Sequence, residues 1–117
     1  IRENIDPNWV PLLNTPPYPD YNSGSSVMAG SASTVLIKAF GNVGFTDRTH
    51  LGSPLYTPDG GPFVLPERQF GALSQAAEDA AFSRVLGGVH FRRACEQGLE
   101  SGRCIGNMIL ARTNFGF

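Results

Sequence analysis

Ala94, Gly98, Gly102 and Gly106 recur every four residues, and that spacing constrains this chain more than any other feature. Four residues are close to one helical turn, so the small residues fall on one face of a helix. Glycine in a helix interior is about 1 kcal/mol worse than alanine, so three at a fixed interval need a compensating reason. The physical one is a groove that lets a second backbone approach closely, which is architecture rather than chemistry. The pattern predicts a helix from residue 91 or 92 to about 113, with Leu99, Ile105, Ile109 and Leu110 adding core contacts. An isolated module with such a groove left open is expected to self-associate as a homo-oligomer.

A second helix is expected over residues 25–40, where Val27, Val35, Leu36 and Phe40 are apolar and Ala29, Gly30, Ala32 and Ser33 are small. Gly41 is placed to end it. A third is expected over 68–86, where Phe70, Leu73, Ala77, Ala80, Ala81 and Val85 form a helical stripe. Glu78 and Asp79 read as solvated charges able to pair with an arginine.

The remaining segments carry turn signals. In the long connection over residues 44–67, Ser53-Pro54, Pro58-Asp59, Gly60-Gly61 and Pro62-Phe63 mark turns, and short extended pieces are expected at 43–46 and 63–65. His50 in this connection reads as a solvated loop histidine. Residues 1–21 are expected to be irregular, with Trp9, Leu12 and Leu13 holding the arm to the core and Pro16, Pro17 and Pro19 keeping it extended. The fold class is therefore mainly α, a helical-bundle piece of about three helices with a long irregular connection.

At 117 residues the chain is one domain at most. Its net charge of −1 gives no reason to expect nucleic acid or an anionic membrane as a partner. No transmembrane segment is expected, because the best apolar stretch, 27–40, is short and contains Ser31, Ser33 and Lys38. Nothing at Ile1 has a signal-peptide pattern. The chain does not begin with methionine, so it is expected to be processed, cut or excised. Cys95 and Cys104 are too far apart on one helix to bridge. At about 1.5 Å rise per residue they lie roughly 13 Å apart, whereas a disulfide needs Cα atoms within about 7 Å. Two free, partly buried thiols are expected.

Two stretches carry chemistry. The first, 83–91, reads Ser-Arg-Val-Leu-Gly-Gly-Val-His-Phe and sets Arg84 and His90 six residues apart across a Gly87-Gly88 turn. Arginine is a permanent forked donor suited to an oxyanion. Histidine can be a nucleophile, a proton carrier or a metal ligand. The competing reading is a surface arginine and a helix-capping histidine. The second stretch, 16–26, is a proline-aromatic lead-in that delivers Ser23-Gly24-Ser25 to the start of a helix. Helix N-termini offer unpaired N–H groups and a positive dipole end to an anion. The competing reading here is a plain serine N-cap.

Taken together, Asn22-Ser23-Gly24-Ser25 and Ser83-Arg84 through His90 resemble the second and third signature motifs, P-S-G-H and S-R-x5-H, of the vanadium-dependent haloperoxidase and type 2 phosphatidic acid phosphatase superfamily. Trp9-Val10-Pro11-Leu12, the proline-tyrosine run and the Gly87 to Phe91 block extend the likeness over nearly the whole chain. It is nearest to soluble bacterial haloperoxidase-like members. The resemblance implies the C-terminal part of a haloperoxidase-like α-bundle with a tetrahedral oxyanion, vanadate or phosphate, in one site. The Ser23 hydroxyl and Gly24 N–H would donate to it, Arg84 would neutralise it, and His90 would bind its apex, as the vanadium ligand in the haloperoxidases. It also implies hydrogen peroxide and a halide or small organic substrate as partners, with secretion or a periplasmic location possible for such a soluble protein. The phosphatase alternative implies a soluble acid phosphatase in which His90 attacks phosphorus and forms a phosphohistidine. A third alternative is a degenerate, non-catalytic anion binder.

Several positions depart from the family pattern. Ser25 stands where the family has its catalytic histidine, and serine does not titrate near neutral pH. Asn22 replaces a proline. Ala94 stands where many members have an aspartate that orients the histidine, so the orienter of His90 is unassigned in the sequence; a backbone carbonyl could do it. The first motif, K-x6-R-P, is absent, while Ile1-Arg2 and Trp9-Val10-Pro11 resemble the segment just downstream of that motif in relatives. Residues 1–117 are therefore expected to be a single partial domain whose missing N-terminal part carries two further cations, and the chain alone is expected to be inactive or nearly so.

Overall fold

The computed structural model describes residues 1–56 and 61–113. The turns expected at Pro58-Asp59 and at Gly60 lie outside the described residues. Three helices form the body: α1 (Gly24–Phe40), α2 (Leu73–Leu86) and α3 (Arg92–Arg112). Between α1 and α2 the chain runs out and back through β1 (Phe45–Asp47), β2 (Pro54–Tyr56), β3 (Pro62–Val64) and β4 (Arg68–Phe70). These make two nested antiparallel pairs, β1 with β4 and β2 with β3.

The glycine stripe explains how the body is built. A Cβ on Gly102 would collide with the Val27 carbonyl oxygen, and one on Gly106 would lie 2.7 Å from Thr34 Cβ. A Cβ on Gly98 would lie 2.8 Å from the Ser23 carbonyl oxygen, and one on Gly30 of α1 would lie 2.5 Å from the Leu99 carbonyl oxygen. The two helices thus meet backbone to backbone. The groove predicted on α3 is occupied by α1, and the basis for expecting self-association through it is gone. The small core continues into α2 with Ala77, Ala81, Cys95 and Leu99, flanked by Ala29 and Val85.

Several expectations need correction. The helix expected to begin at residue 68 begins at Leu73, because residues 68–70 pair with β1 instead. Phe45 and Phe70 face each other in that ladder with ring centroids 5.2 Å apart, so cross-strand pairing overrides helical periodicity. The Gln75 side chain accepts a hydrogen bond from the Gly71 N–H at 2.7 Å and marks the switch from strand to helix. Ala80, Leu36, Phe40, Ile105 and Ile109 are exposed rather than core residues. Both cysteines are free, but Cys104 is exposed while Cys95 is buried. Leu12 is exposed, so Trp9 and Leu13 hold the arm. Gly41 ends α1 as expected, with φ 81° and its N–H bonded to the Ile37 carbonyl. Glu78 pairs with Arg103 and Asp79 with Arg68. No described helix is long and apolar enough to cross a membrane.

Gly102→Ala tests the helix contact. Alanine gains helix propensity but forces α1 and α3 apart, and overpacking of this kind costs about 1–3 kcal/mol. The expected result is a lower urea midpoint with an unchanged m-value.

Candidate oxyanion site

Ser23 caps α1 from a fully buried position. Its Oγ accepts a hydrogen bond from the Ser26 hydroxyl at 2.9 Å and a longer one, 3.4 Å, from the Ser26 N–H. Its own N–H donates to the Ala94 carbonyl at 3.1 Å. The plain N-cap reading is therefore correct as far as it goes, and it leaves the Ser23 hydroxyl proton to be donated elsewhere. Gly24 opens the helix, where N–H groups have no partner within the helix. A Cβ on Gly24 would meet nothing within 4 Å, so this glycine is not demanded by close helix contact, unlike those on α3. Ser25 follows, half-buried in the first turn.

Arg84 and His90 are tied through the backbone. The Arg84 carbonyl accepts from the N–H groups of Val89 (3.2 Å) and His90 (3.3 Å). Gly88, at φ 73°, makes the reversal possible. The N-terminal arm lies over this turn, with Leu13 N–H bonded to the Gly87 carbonyl at 3.0 Å and Trp9 and Pro11 against Gly88.

His90 is buried, with its ring held from one side. Its Nδ1 lies 2.9 Å from the Asp20 carbonyl oxygen and 2.9 Å from the Asp20 carboxylate, while Tyr18 stacks on the ring at 6.3 Å. The same carboxylate oxygen accepts from the Phe91 N–H at 3.1 Å. The orienter left unassigned in the sequence is thus Asp20, through its backbone carbonyl and through a carboxylate that the sequence did not single out. The signal available was an acid between Pro19 and Tyr21, in a segment stiffened by prolines.

Asp20 against His90 and Phe91, and Ser23 against Ala94, bring the two motif stretches side by side. Three buried side-chain atoms in or beside these stretches have no partner among the described residues: His90 Nε2, Arg84 Nε and Asn22 Oδ1, the last on an amide whose nitrogen donates to Ser101 Oγ at 3.3 Å. Buried polar groups are nearly always satisfied, so each of these atoms calls for an explanation. An imidazole nitrogen and a guanidinium edge are the kinds of group that bind an oxyanion such as vanadate. No carboxylate within 4.0 Å competes for Arg84 among the described residues. Other nearby cations are engaged, with Arg2 donating to the Trp9 carbonyl at 2.7 Å and Arg92 lying over the Phe82 ring at 4.9 Å. A groove of about 1020 Å³ runs past His90 between Trp9, Asp20, Leu86 and Phe91. His50 is exposed in the β1–β2 connection. No cluster of three metal-ligating side chains occurs among the described residues.

Comparison with known proteins decides the family. The model for the VCPO second helical-bundle domain matches residues 2–115. The chain belongs to that family. Among solved structures it is similar to a bacterial vanadium-dependent iodoperoxidase, with 41% identity and a TM-score of 0.79, covering 97% of this chain and 25% of that one. It is also similar to a bacterial vanadium-dependent chloroperoxidase in its holo form, with 25% identity and a TM-score of 0.70, covering 88% of this chain and 22% of that one. The apo form of such a chloroperoxidase gives 25% identity, a TM-score of 0.68 and coverage of 86% and 22%. The VCPO-type domain thus spans about a quarter of the length of the iodoperoxidase. Comparison with curated proteins gives no match.

Substitutions at the cap separate fold from site. Ser23→Ala removes the cap and strands the buried Ser26 hydroxyl, and it is expected to destabilise the domain by about 1–2 kcal/mol. Gly24→Ala enters open space and should leave stability within about 0.5 kcal/mol. Urea denaturation of both variants checks the contrast.

Proposed function

We propose that this VCPO-type domain carries half of a vanadate site and serves a haloperoxidase that oxidises halide, or a small organic substrate, with hydrogen peroxide. The observation that carries the reading is His90. Both acceptors near its ring face Nδ1, so Nδ1 bears a proton, and in the neutral imidazole the buried Nε2 then presents the lone pair. In this reading His90 Nε2 is the vanadium ligand, Arg84 neutralises the oxyanion, and the Ser23 hydroxyl and Gly24 N–H donate to its oxygens. Bound vanadate would supply Lewis-acid activation of the peroxide. The chain's part is to bind the oxyanion, to hold the imidazole, and to keep water from Nε2 by burial.

Ser25 favours this over the phosphatase reading. A phosphatase must protonate a leaving group, and the Ser25 hydroxyl has no acidity near neutral pH with which to do it. The single arginine also sets the strength of the site. Each charge-assisted bond contributes about 1.5–3 kcal/mol, so a site lacking two cations binds vanadate roughly two to four orders of magnitude more weakly than a complete one. The domain alone is then inactive or nearly so.

The test is an orthovanadate titration followed by vanadium NMR, together with an assay of peroxide-dependent iodide and bromide oxidation. Weak, saturable binding that His90→Ala abolishes and Gly24→Ala reduces is expected, with negligible turnover. Binding untouched by His90→Ala would remove the reading. Phosphate-ester hydrolysis inhibited by orthovanadate would replace it with the phosphatase one.

A further inference from the structure

We infer that the Asp20 carboxylate is the positioning residue for His90, fixing its ring and its tautomer from a segment outside both motifs. This deepens the proposed vanadate reading and rests on it for its purpose, though not for its geometry. Ala94, buried at 1% exposure, brings no carboxylate to His90 from α3. The acid comes instead from the lead-in three residues before the α1 cap.

The geometry is specific. One Asp20 oxygen receives two donors, His90 Nδ1–H and the Phe91 N–H. Those donors belong to adjacent residues, so the carboxylate clamps the chain on both sides of the His90 Cα–C bond. The Asp20 carbonyl is as close to Nδ1, at 2.9 Å, but a charged acceptor makes a bond about twice as strong as a neutral one. An imidazole has one proton to place when neutral. An acceptor at Nδ1 draws it there and leaves Nε2 able to bind an electrophile. Tyr18 lies alongside the ring, with centroids 6.3 Å apart and planes inclined by 27°.

A purely structural Asp20 would cap the Phe91 N–H at the start of α3 and leave the ring to the backbone carbonyl. Nitrogen NMR of the imidazole rings distinguishes the two roles without any vanadate present. The chain has two histidines, and exposed His50 provides the reference for an unconstrained ring. At alkaline pH, where imidazole is neutral, wild-type His90 is expected to hold its proton at Nδ1. Asp20→Ala is expected to give a mixture of tautomers approaching that of His50. Asp20→Asn, which keeps a neutral oxygen acceptor for both donors, is expected to give an Nδ1–H fraction between those of wild type and Asp20→Ala, and it guards against a folding defect in the alanine variant. A wild-type-like His90 ring in folded Asp20→Ala would overturn the inference, because the carbonyl alone would then suffice. A wild-type ring protonated at Nε2 would overturn it too. The orthovanadate titration is separate: a fixed Nδ1–H tautomer in a protein that binds no vanadate leaves Asp20 as the positioning residue and removes only the vanadate reading.

Discussion

The close contact of α1 with α3 is the constraint on which the rest of this domain depends. Gly30 on one helix and Gly98, Gly102 and Gly106 on the other remove the side chains that would separate the two backbones. That approach puts the start of α1 beside the start of α3. It allows the Ser23 N–H to reach the Ala94 carbonyl, and it carries the Asp20 segment to His90. The site is a consequence of this packing: small residues far from any chemistry decide where the chemistry-bearing ones lie.

The body is held by small side chains, and this shapes the energetics. The buried apolar cluster consists of two alanines, a cysteine and a leucine, while Met28, Leu86 and Phe91 stay more than three-fifths exposed. Burial in such a core gives less transfer free energy than a core of leucines and phenylalanines would, so the many close contacts between α1 and α3 and the buried Ser23–Ser26 hydrogen bonds matter more. Against that apolar economy, the domain buries an imidazole and an arginine edge whose polar atoms find no partner within the described residues. Unsatisfied polar groups of this kind cost about 1–3 kcal/mol each, and a site that binds an anion recovers that free energy when the anion arrives.

Much of this was legible in the sequence, for identifiable reasons. The four-residue glycine interval identified α3 and its close contact, although not that α1 would fill the groove. The Ser-Gly-Ser and Ser-Arg-x5-His stretches pointed to the family. What escaped were features set by partners distant in sequence. Residues 68–70 have a helical apolar pattern, and only Phe45–Asp47, more than twenty positions upstream, makes them a strand. Asp20 looked like part of a stiff turn, because nothing local shows that His90, seventy positions on, will lie against its carboxylate. Ile105 and Ile109 fit the period of a buried stripe yet remain exposed, since periodicity reports a face and not what covers it.

In the proposed vanadate site, the His90 and Arg84 nitrogens that lack partners among the described residues face a common oxyanion. A crystal structure of the domain grown with orthovanadate tests it most directly, because the anomalous signal of vanadium locates the metal independently of the protein. Vanadium is expected bonded to His90 Nε2, with its oxygens within hydrogen-bonding distance of Arg84, the Ser23 hydroxyl and the Gly24 N–H. Vanadium bound away from His90, or ordered water satisfying both nitrogens with no vanadium near them, would contradict it.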